Sequence, residues 1–163
     1  MRYTQRMGSS AVLNPAPGIT LHLVVTEMGI RRLGFGEPTI PTGASEPGSL
    51  LAEAARQLDE YFSGRRRQFD LPLDLEGTEF QQRVWKSVSG IPYGQTRSYS
   101  QIAATIGSPK AVRAVGAANG ANPVAIIVPC HRVIASSGGL GGYGGGLELK
   151  RRLLALETGP GFW

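Results

Sequence analysis

At 163 residues, with 41% hydrophobic and 18% charged side chains, the chain can bury a core as one domain or two small ones, and its composition is that of a soluble globular protein. Its 23 glycines and 11 prolines are scattered as turn punctuation, which excludes collagen-like and low-complexity classes, and its single cysteine excludes an internal disulfide. The net charge of +5 is unevenly spread: residues 1–74 hold eight Lys/Arg and eight Asp/Glu, whereas residues 75–163 hold nine and four, a basic excess that suits either a merely soluble surface or a footprint for phosphate.

Arg2 and Arg6 are not followed by an unbroken apolar stretch, because Asn14, Pro15 and Pro17 interrupt it. The longest apolar run, residues 124–128, is far too short to span a bilayer. A cytoplasmic protein without membrane contact is expected. Residues 19–26 are rich in β-branched side chains and are followed by Glu27-Met28-Gly29 and an apolar stretch over 30–35, which predicts a hairpin. Residues 37–48, with three prolines and two glycines, predict a surface loop. Ser49 can cap a helix carrying Leu51, Ala54, Ala55, Leu58 and Phe62 at helical spacing and stopping at Gly64. Arg65, Arg66 and Arg67 suit a solvated helix end. Phe69, Leu71, Leu73 and Leu75 alternate, and Pro72 among them points to an edge strand. Residues 1–74 are therefore expected to form a small α/β domain.

From Thr78 the pattern turns helical, and residues 75–163 are expected to form a second domain. Thr78 with Gln81, and Ser98 with Gln101, each fit a capping box. The first of these helices carries Phe80, Val84, Trp85 and Val88 and ends at Gly90; the next runs over about 99–106. Ser108 followed by Pro109 predicts the cap and first residue of a third helix over about 110–118. Two short helices joined by a tight glycine-containing turn form the signature of a helix-turn-helix. The third helix is mostly Ala, Val and Gly, so only Lys110, Arg113 and Asn119 could hydrogen-bond base edges, and small side chains suit close approach to a groove.

Residues 126–128 are expected to form a short buried strand leading into Pro129-Cys130-His131-Arg132-Val133. A lone cysteine is commonly inert packing. Adjacency to His131 and Arg132 favours a reactive thiolate instead. With only His22 and His131 beside Cys130, a zinc site would need a fourth ligand from a carboxylate, so no structural metal and no cofactor are expected.

These residues resemble a known family. Ile91-Pro92-Tyr93-Gly94, Ser98-Tyr99, Arg113-Ala114-Val115-Gly116, Asn122-Pro123, Ile127 to Val133, Tyr143 with the glycines after it, and Leu153-Leu154-Ala155-Leu156-Glu157 are similar, in order and spacing, to the O6-alkylguanine-DNA alkyltransferases. The resemblance covers residues 78–157; the N-terminal half is similar only in layout. It implies an α/β protein with a small N-terminal ribonuclease-H-like domain and a C-terminal winged-helix-like helix-turn-helix alkyltransferase domain. The implied activity is direct-reversal repair, in which an O6-alkylguanine is flipped from duplex DNA and its alkyl group passes irreversibly to the protein in a single turnover.

The resemblance further implies that Cys130 is the acceptor, that His131 is its base through a water, and that Glu157 orients the imidazole. Asn122 would fix the turn before the active-site segment. Tyr99 would rotate the damaged nucleotide out and protonate the leaving guanine, and Arg113 would fill the vacated place in the stack. Lys110, Ala111, Val112, Gly116 and Ser136 would complete the DNA-contacting set. Tyr143 would wall the base pocket, and backbone groups of Cys130, Val133 and Gly144 would hydrogen-bond the base. Gly144 stands where relatives often carry serine. The implied partner is double-stranded DNA containing O6-alkylguanine, bound by a protein monomeric in solution.

Three rival readings remain. Gly139-x-Gly141-x-x-Gly144 matches a dinucleotide fingerprint as a string, but no βαβ unit can follow it before residue 163. A cysteine hydrolase would use Cys130, His131 and Glu157, yet adjacent Cys and His rarely converge on one substrate bond. A binding-only helix-turn-helix module is the alternative of a different class; family members that only bind lesions lack the acceptor cysteine, which this chain has.

Overall fold

The structure, a computed structural model, describes residues 8–37, 49–159 and 161. The segment carrying Arg2 and Arg6, and all but Glu37 of the expected loop, lie outside the described residues. The chain divides into two compact units, Met1–Leu75 and Glu76–Trp163.

In the first unit, β1 (Ser9–Ala16), β2 (Ile19–Thr26) and β3 (Gly29–Phe35) form an antiparallel sheet in that order. β2 and β3 are the hairpin the sequence predicts. Ile19, Leu21, Leu23 and Val25 alternate inward along β2, as a sheet with one covered face requires. β1 went unread because Asn14 and Pro15 interrupt its pattern, and the pairing register slips between Leu13 and Ala16, where an edge strand tolerates a residue without an N–H. α1 (Leu50–Phe62) starts where Ser49 Oγ accepts the Ala52 N–H at 3.2 Å. It packs Leu51, Ala54, Leu58 and Tyr61 toward β1 and β2. Arg65 and Arg66 fold back onto Asp59 and Glu60 as ion pairs.

The expected edge strand around Leu73 is a correction. It shrinks to one parallel bridge, Ile30 to Leu73, in which the Ile30 N–H donates to Pro72 O at 2.8 Å and the Asp74 N–H donates to Ile30 O at 2.9 Å. Pro72 has no N–H to extend the ladder.

In the second unit both capping boxes form, on α2 (Glu79–Ser89) and α3 (Tyr99–Thr105). α4 (Val112–Gly120) begins later than the sequence suggests. Ser108 does not cap it: the Ala111 N–H donates to Ser108 O at 2.9 Å, closing a turn with Pro109 in its second position, which leaves Ala111 as an N-cap without a side-chain bond. α2, α3 and α4 pack mutually around Val84, Trp85, Val88, Ile102 and Val115, and the Trp85 indole N–H donates to Ala118 O at 2.8 Å. β4 (Arg97–Ser98) pairs in parallel with β5 (Val133–Ile134). α5 (Leu147–Thr158) buries Lys150, Leu153, Leu154 and Glu157 and packs on a short 3-10 turn at Cys130–Arg132. Among the described residues, no helix is long and apolar enough to cross a membrane.

Residues 126–128 are not a strand, which corrects the sequence reading. Their backbone bonds are local: the Ile127 N–H donates to Ala125 O at 2.8 Å and the Val128 N–H to Val124 O at 3.0 Å, and Ile126 takes φ 71°, a sparsely populated region for a β-branched residue. The Asn122 amide stands in for a neighbouring strand, donating to Val128 O at 2.8 Å while its Oδ1 accepts the Val124 N–H at 3.0 Å.

Candidate active site

The Asn122-clamped turn delivers Pro129 and then Cys130, whose N–H donates to Val128 O at 2.8 Å. Cys130 is 6% exposed. Burial pushes its thiol above the ordinary value; the Asn122 amide, the Lys150 ammonium and the N–H groups of Cys130 and His131 pull it down without reversing the shift. Arg132, which the sequence places beside the thiol, is turned instead toward Glu157 and Ile91 O, and burial favours the neutral form of the thiol.

His131 is fully buried, with Nε2 2.7 Å from Glu157 Oε1. Burial opposes the ionised form of Glu157, but hydrogen bonds and charge from His131 and Arg132 outweigh it and hold the carboxyl at about 2. An ionised carboxylate only accepts, so it fixes the tautomer: Nε2 carries the proton and Nδ1 keeps the lone pair. That Nδ1 is buried and makes no hydrogen bond to any described residue. Burial lowers the imidazole below its ordinary value in spite of Glu157, and the charges of Arg132 and Lys150 add to the lowering.

Sequence reasoning gave Arg132 no role beyond adjacency. Its Nε and Nη2 donate to Glu157 Oε2 and Oε1, both at 2.9 Å, and its Nη1 donates to Ile91 O at 2.7 Å. The Tyr93 ring lies 5.7 Å from its guanidinium carbon, and the Gly94 N–H donates to Glu157 Oε2 at 3.2 Å. The Ile91-Pro92-Tyr93-Gly94 motif is thus a cradle for the Arg132–Glu157 pair. Such a buried bidentate pair is costly to break from one side, because the remaining charge is left without a partner.

Lys150 was also missed. Its ammonium donates to Val133 O at 2.6 Å, to Leu140 O, and to Gly142 O at 3.4 Å, tying α5 to the loop after β5. Burial lowers it to about 8 against the attraction of Cys130. Only these long-range contacts reveal it, and an apolar helix face interrupted by one lysine is the signal that could have found it.

Tyr99 opens α3 half-buried, and burial, with the charge of Cys130, raises its phenol above the ordinary value. It leaves no room at Gly141: φ there is +69°, and an added Cβ would come within 2.8 Å of the Tyr99 hydroxyl. Gly141 belongs to this contact, not to a dinucleotide loop. Burial and the charges of Cys130 and Glu157 hold the Tyr143 phenol well above its ordinary value. At Gly144 an added Cβ would meet open space, so a serine there would fit. Among the described residues no group of three His, Cys, Asp or Glu side chains could hold a metal ion.

The chain matches the DNA binding domain of 6-O-methylguanine DNA methyltransferase over residues 79–159 and that protein's ribonuclease-like domain over residues 20–75. It is 59% identical over 121 residues to the methylated-DNA–protein-cysteine methyltransferase of Mycobacterium tuberculosis, covering 74% of this chain and 73% of the relative. It is 52% identical over 139 residues to that of Methanosarcina barkeri, covering 83% and 88%. The chain belongs to the methylated-DNA–protein-cysteine methyltransferase family. Its structure is similar to the crystal structure of Mycobacterium tuberculosis OGT in complex with DNA, with a TM-score of 0.81 at 50% identity over 92% of each chain.

In this family member, the turn Cys130–Arg132 packs on α5 so that His131 and Arg132 both reach Glu157, Asn122 clamps the segment that leads into Cys130, and Tyr143 in the loop before α5 keeps its hydroxyl buried. The residues expected at DNA lie mostly elsewhere. Arg113 is exposed on α4, as are Ala114 and Ala117; Ala111, Val112 and Gly116 are half-exposed, and Lys110 lies in the turn before the helix. Ser136 is exposed in the loop after β5, its Oγ 2.9 Å from Ser100 Oγ. Asn119, which the sequence offered as a possible base reader, points inward.

Proposed function

We propose that this chain repairs DNA by accepting an alkyl group from O6-alkylguanine onto Cys130, once per molecule. The reading rests on one observation above all: the only cysteine is followed by a histidine whose Nε2 is locked on an ionised carboxylate, leaving Nδ1 as the available base. The Cys130 thiol gives its proton through a water to Nδ1. Sulfur attacks the alkyl carbon, the S–C bond forms as the C–O6 bond breaks, and the electron pair leaves with guanine. Tyr99 protonates the guanine ring and regains a proton from the His131 imidazolium through water, so that the net change is one proton from the thiol to the repaired guanine, which stays in the DNA. The product thioether is stable, and the chain has no second cysteine to take the alkyl group on.

A neutral resting pair suits this chemistry. The thiol loses its proton as the reaction demands, and the Glu157 carboxylate stabilises the imidazolium that results. Because O6 is unreachable inside a duplex, the base must be extruded at a cost of roughly a few kcal/mol, which Arg113 offsets by entering the stack from α4. α3 and α4 act as the helix-turn-helix, with Lys110, Ala111, Val112, Gly116 and Ser136 against the DNA. Cys130, Val133 and Gly144 backbone groups and the Tyr143 ring receive the base. The protein acts as a cytoplasmic monomer on double-stranded DNA.

The test is binding and transfer measured side by side. Cys130→Ala should hold a duplex containing O6-methylguanine yet never become methylated. Stoichiometric methylation of that variant would refute the assignment, and binding without transfer by the unaltered chain would make it a lesion-binding module instead.

A further inference from the structure

Nine Lys and Arg side chains fall within residues 75–163. Lys110 and Arg113 belong to the DNA-contacting set proposed above, and Arg132 and Lys150 are buried. Three others, Arg83, Lys86 and Arg97, border one groove of about 620 Å³ between α2, α3 and the segment joining them, open to solvent and in the size range of ligand-binding clefts. Its floor is apolar: Ile91, Ile102 and Ile106 line it and are all buried. Arg83 and Lys86 stand three residues apart on α2 and so share a helix face, from which the Arg83 guanidinium donates to Ile106 O at the end of α3. The Arg97 guanidinium donates to Thr96 O at 2.8 Å and to Gln95 Oε1 at 3.3 Å. These partners are all neutral. None of the three cations forms an ion pair with a described carboxylate, and no acidic side chain among the described residues lines the groove.

We propose that this groove docks an acidic amphipathic segment of a protein partner, with the segment's apolar side chains on the isoleucine floor and its carboxylates against Arg83, Lys86 and Arg97. An amphipathic helix laid in an apolar groove covers such a floor, and a rim of one charge sign steers the oppositely charged segment onto it. A nucleic-acid backbone would meet the three cations but leave the isoleucines uncovered, since protein–DNA interfaces are polar and strongly charged throughout. The groove also lies off the side of α3 that the DNA-contacting set uses. Ser100 Oγ meets Ser136 of that set, and Ile102, two residues on, stands about 160° round the helix axis from Ser100. The proposal does not rest on alkyl transfer, because a chain that only bound lesions would carry the same groove.

The experiment is fluorescence anisotropy of the full chain with a labelled helical peptide of glutamate and leucine, its leucines on one face, at ~0.15 M salt, where a Debye length of about 8 Å screens charges outside the groove. The peptide should bind. Lys86→Gln and Arg97→Gln together should weaken it about tenfold while affinity for an undamaged duplex stays as it was. Both side chains are exposed, so the double variant keeps its fold. A peptide with serine in place of leucine should also bind about tenfold more weakly, which reads the apolar floor without altering the chain. Absence of binding to the unaltered chain, equal binding by the double variant, or equal binding of the serine peptide would overturn the proposal. So would a loss of duplex affinity as large as the loss for the peptide, which would give the groove to nucleic acid.

Discussion

His131 Nε2 lies 2.7 Å from Glu157 Oε1, and the same carboxylate is gripped from the other side by the Arg132 guanidinium at 2.9 Å on each oxygen. One acid thus serves two neighbouring residues of the same 3-10 turn. Arg132 keeps it ionised, and its ionisation fixes which imidazole nitrogen is free to take a proton.

The first expected outcome concerns that division of labour. With free O6-benzylguanine, Glu157→Gln should lower the single-turnover rate at neutral pH by roughly tenfold or more. Burial raises the Cys130 thiol, so the deficit should persist well into alkali and close only where base ionises the thiol directly. A rate ratio constant across the whole pH range in which both proteins are folded would take Glu157 out of the proton path.

Stability should respond to the same carboxyl. It is held at about 2 in the folded chain, below its ordinary 4.5, so its contribution is complete above pH 4.5 and is lost as pH falls toward 2. Urea unfolding followed over that window should show the wild type losing a few kcal/mol more than Glu157→Gln. Parallel acid curves for the two proteins would mean that the folded carboxyl is not depressed.

Several of these residues could be located in the sequence and others could not, for physical reasons. Capping boxes at Thr78 and Ser98 are closed by residues three positions on, and the β2–β3 hairpin by its own turn, so both were legible. The start of α4 was misplaced because Ser108 and Pro109 suit a helix N-terminus and a tight turn equally well, and only the Ala111 N–H decides between them. The apolar run before Pro129 looked like a strand because burial was visible while the Asn122 clamp was not. Arg132 and Lys150 owe their roles to partners between 8 and 41 residues away, and only the break that a lysine makes in the apolar face of α5 hints at one of them.

Arg113 offers a test of extrusion. It is exposed on α4 among small side chains and makes no ion pair among the described residues, so its removal should leave the fold intact. Arg113→Ala should slow methyl transfer from duplex DNA far more than transfer from free O6-benzylguanine, which needs no flipping. Equal losses on both substrates would give Arg113 a supporting role instead.

The central claim is that Cys130 is the acceptor and is consumed. Intact-mass and peptide analysis of the full chain after incubation with excess O6-methylguanine duplex tests it most directly. One methyl group per chain, located on Cys130, with repair ceasing when the protein is fully modified, is the predicted result. Repaired guanine in excess of protein, or a methyl group on any other residue, would contradict it.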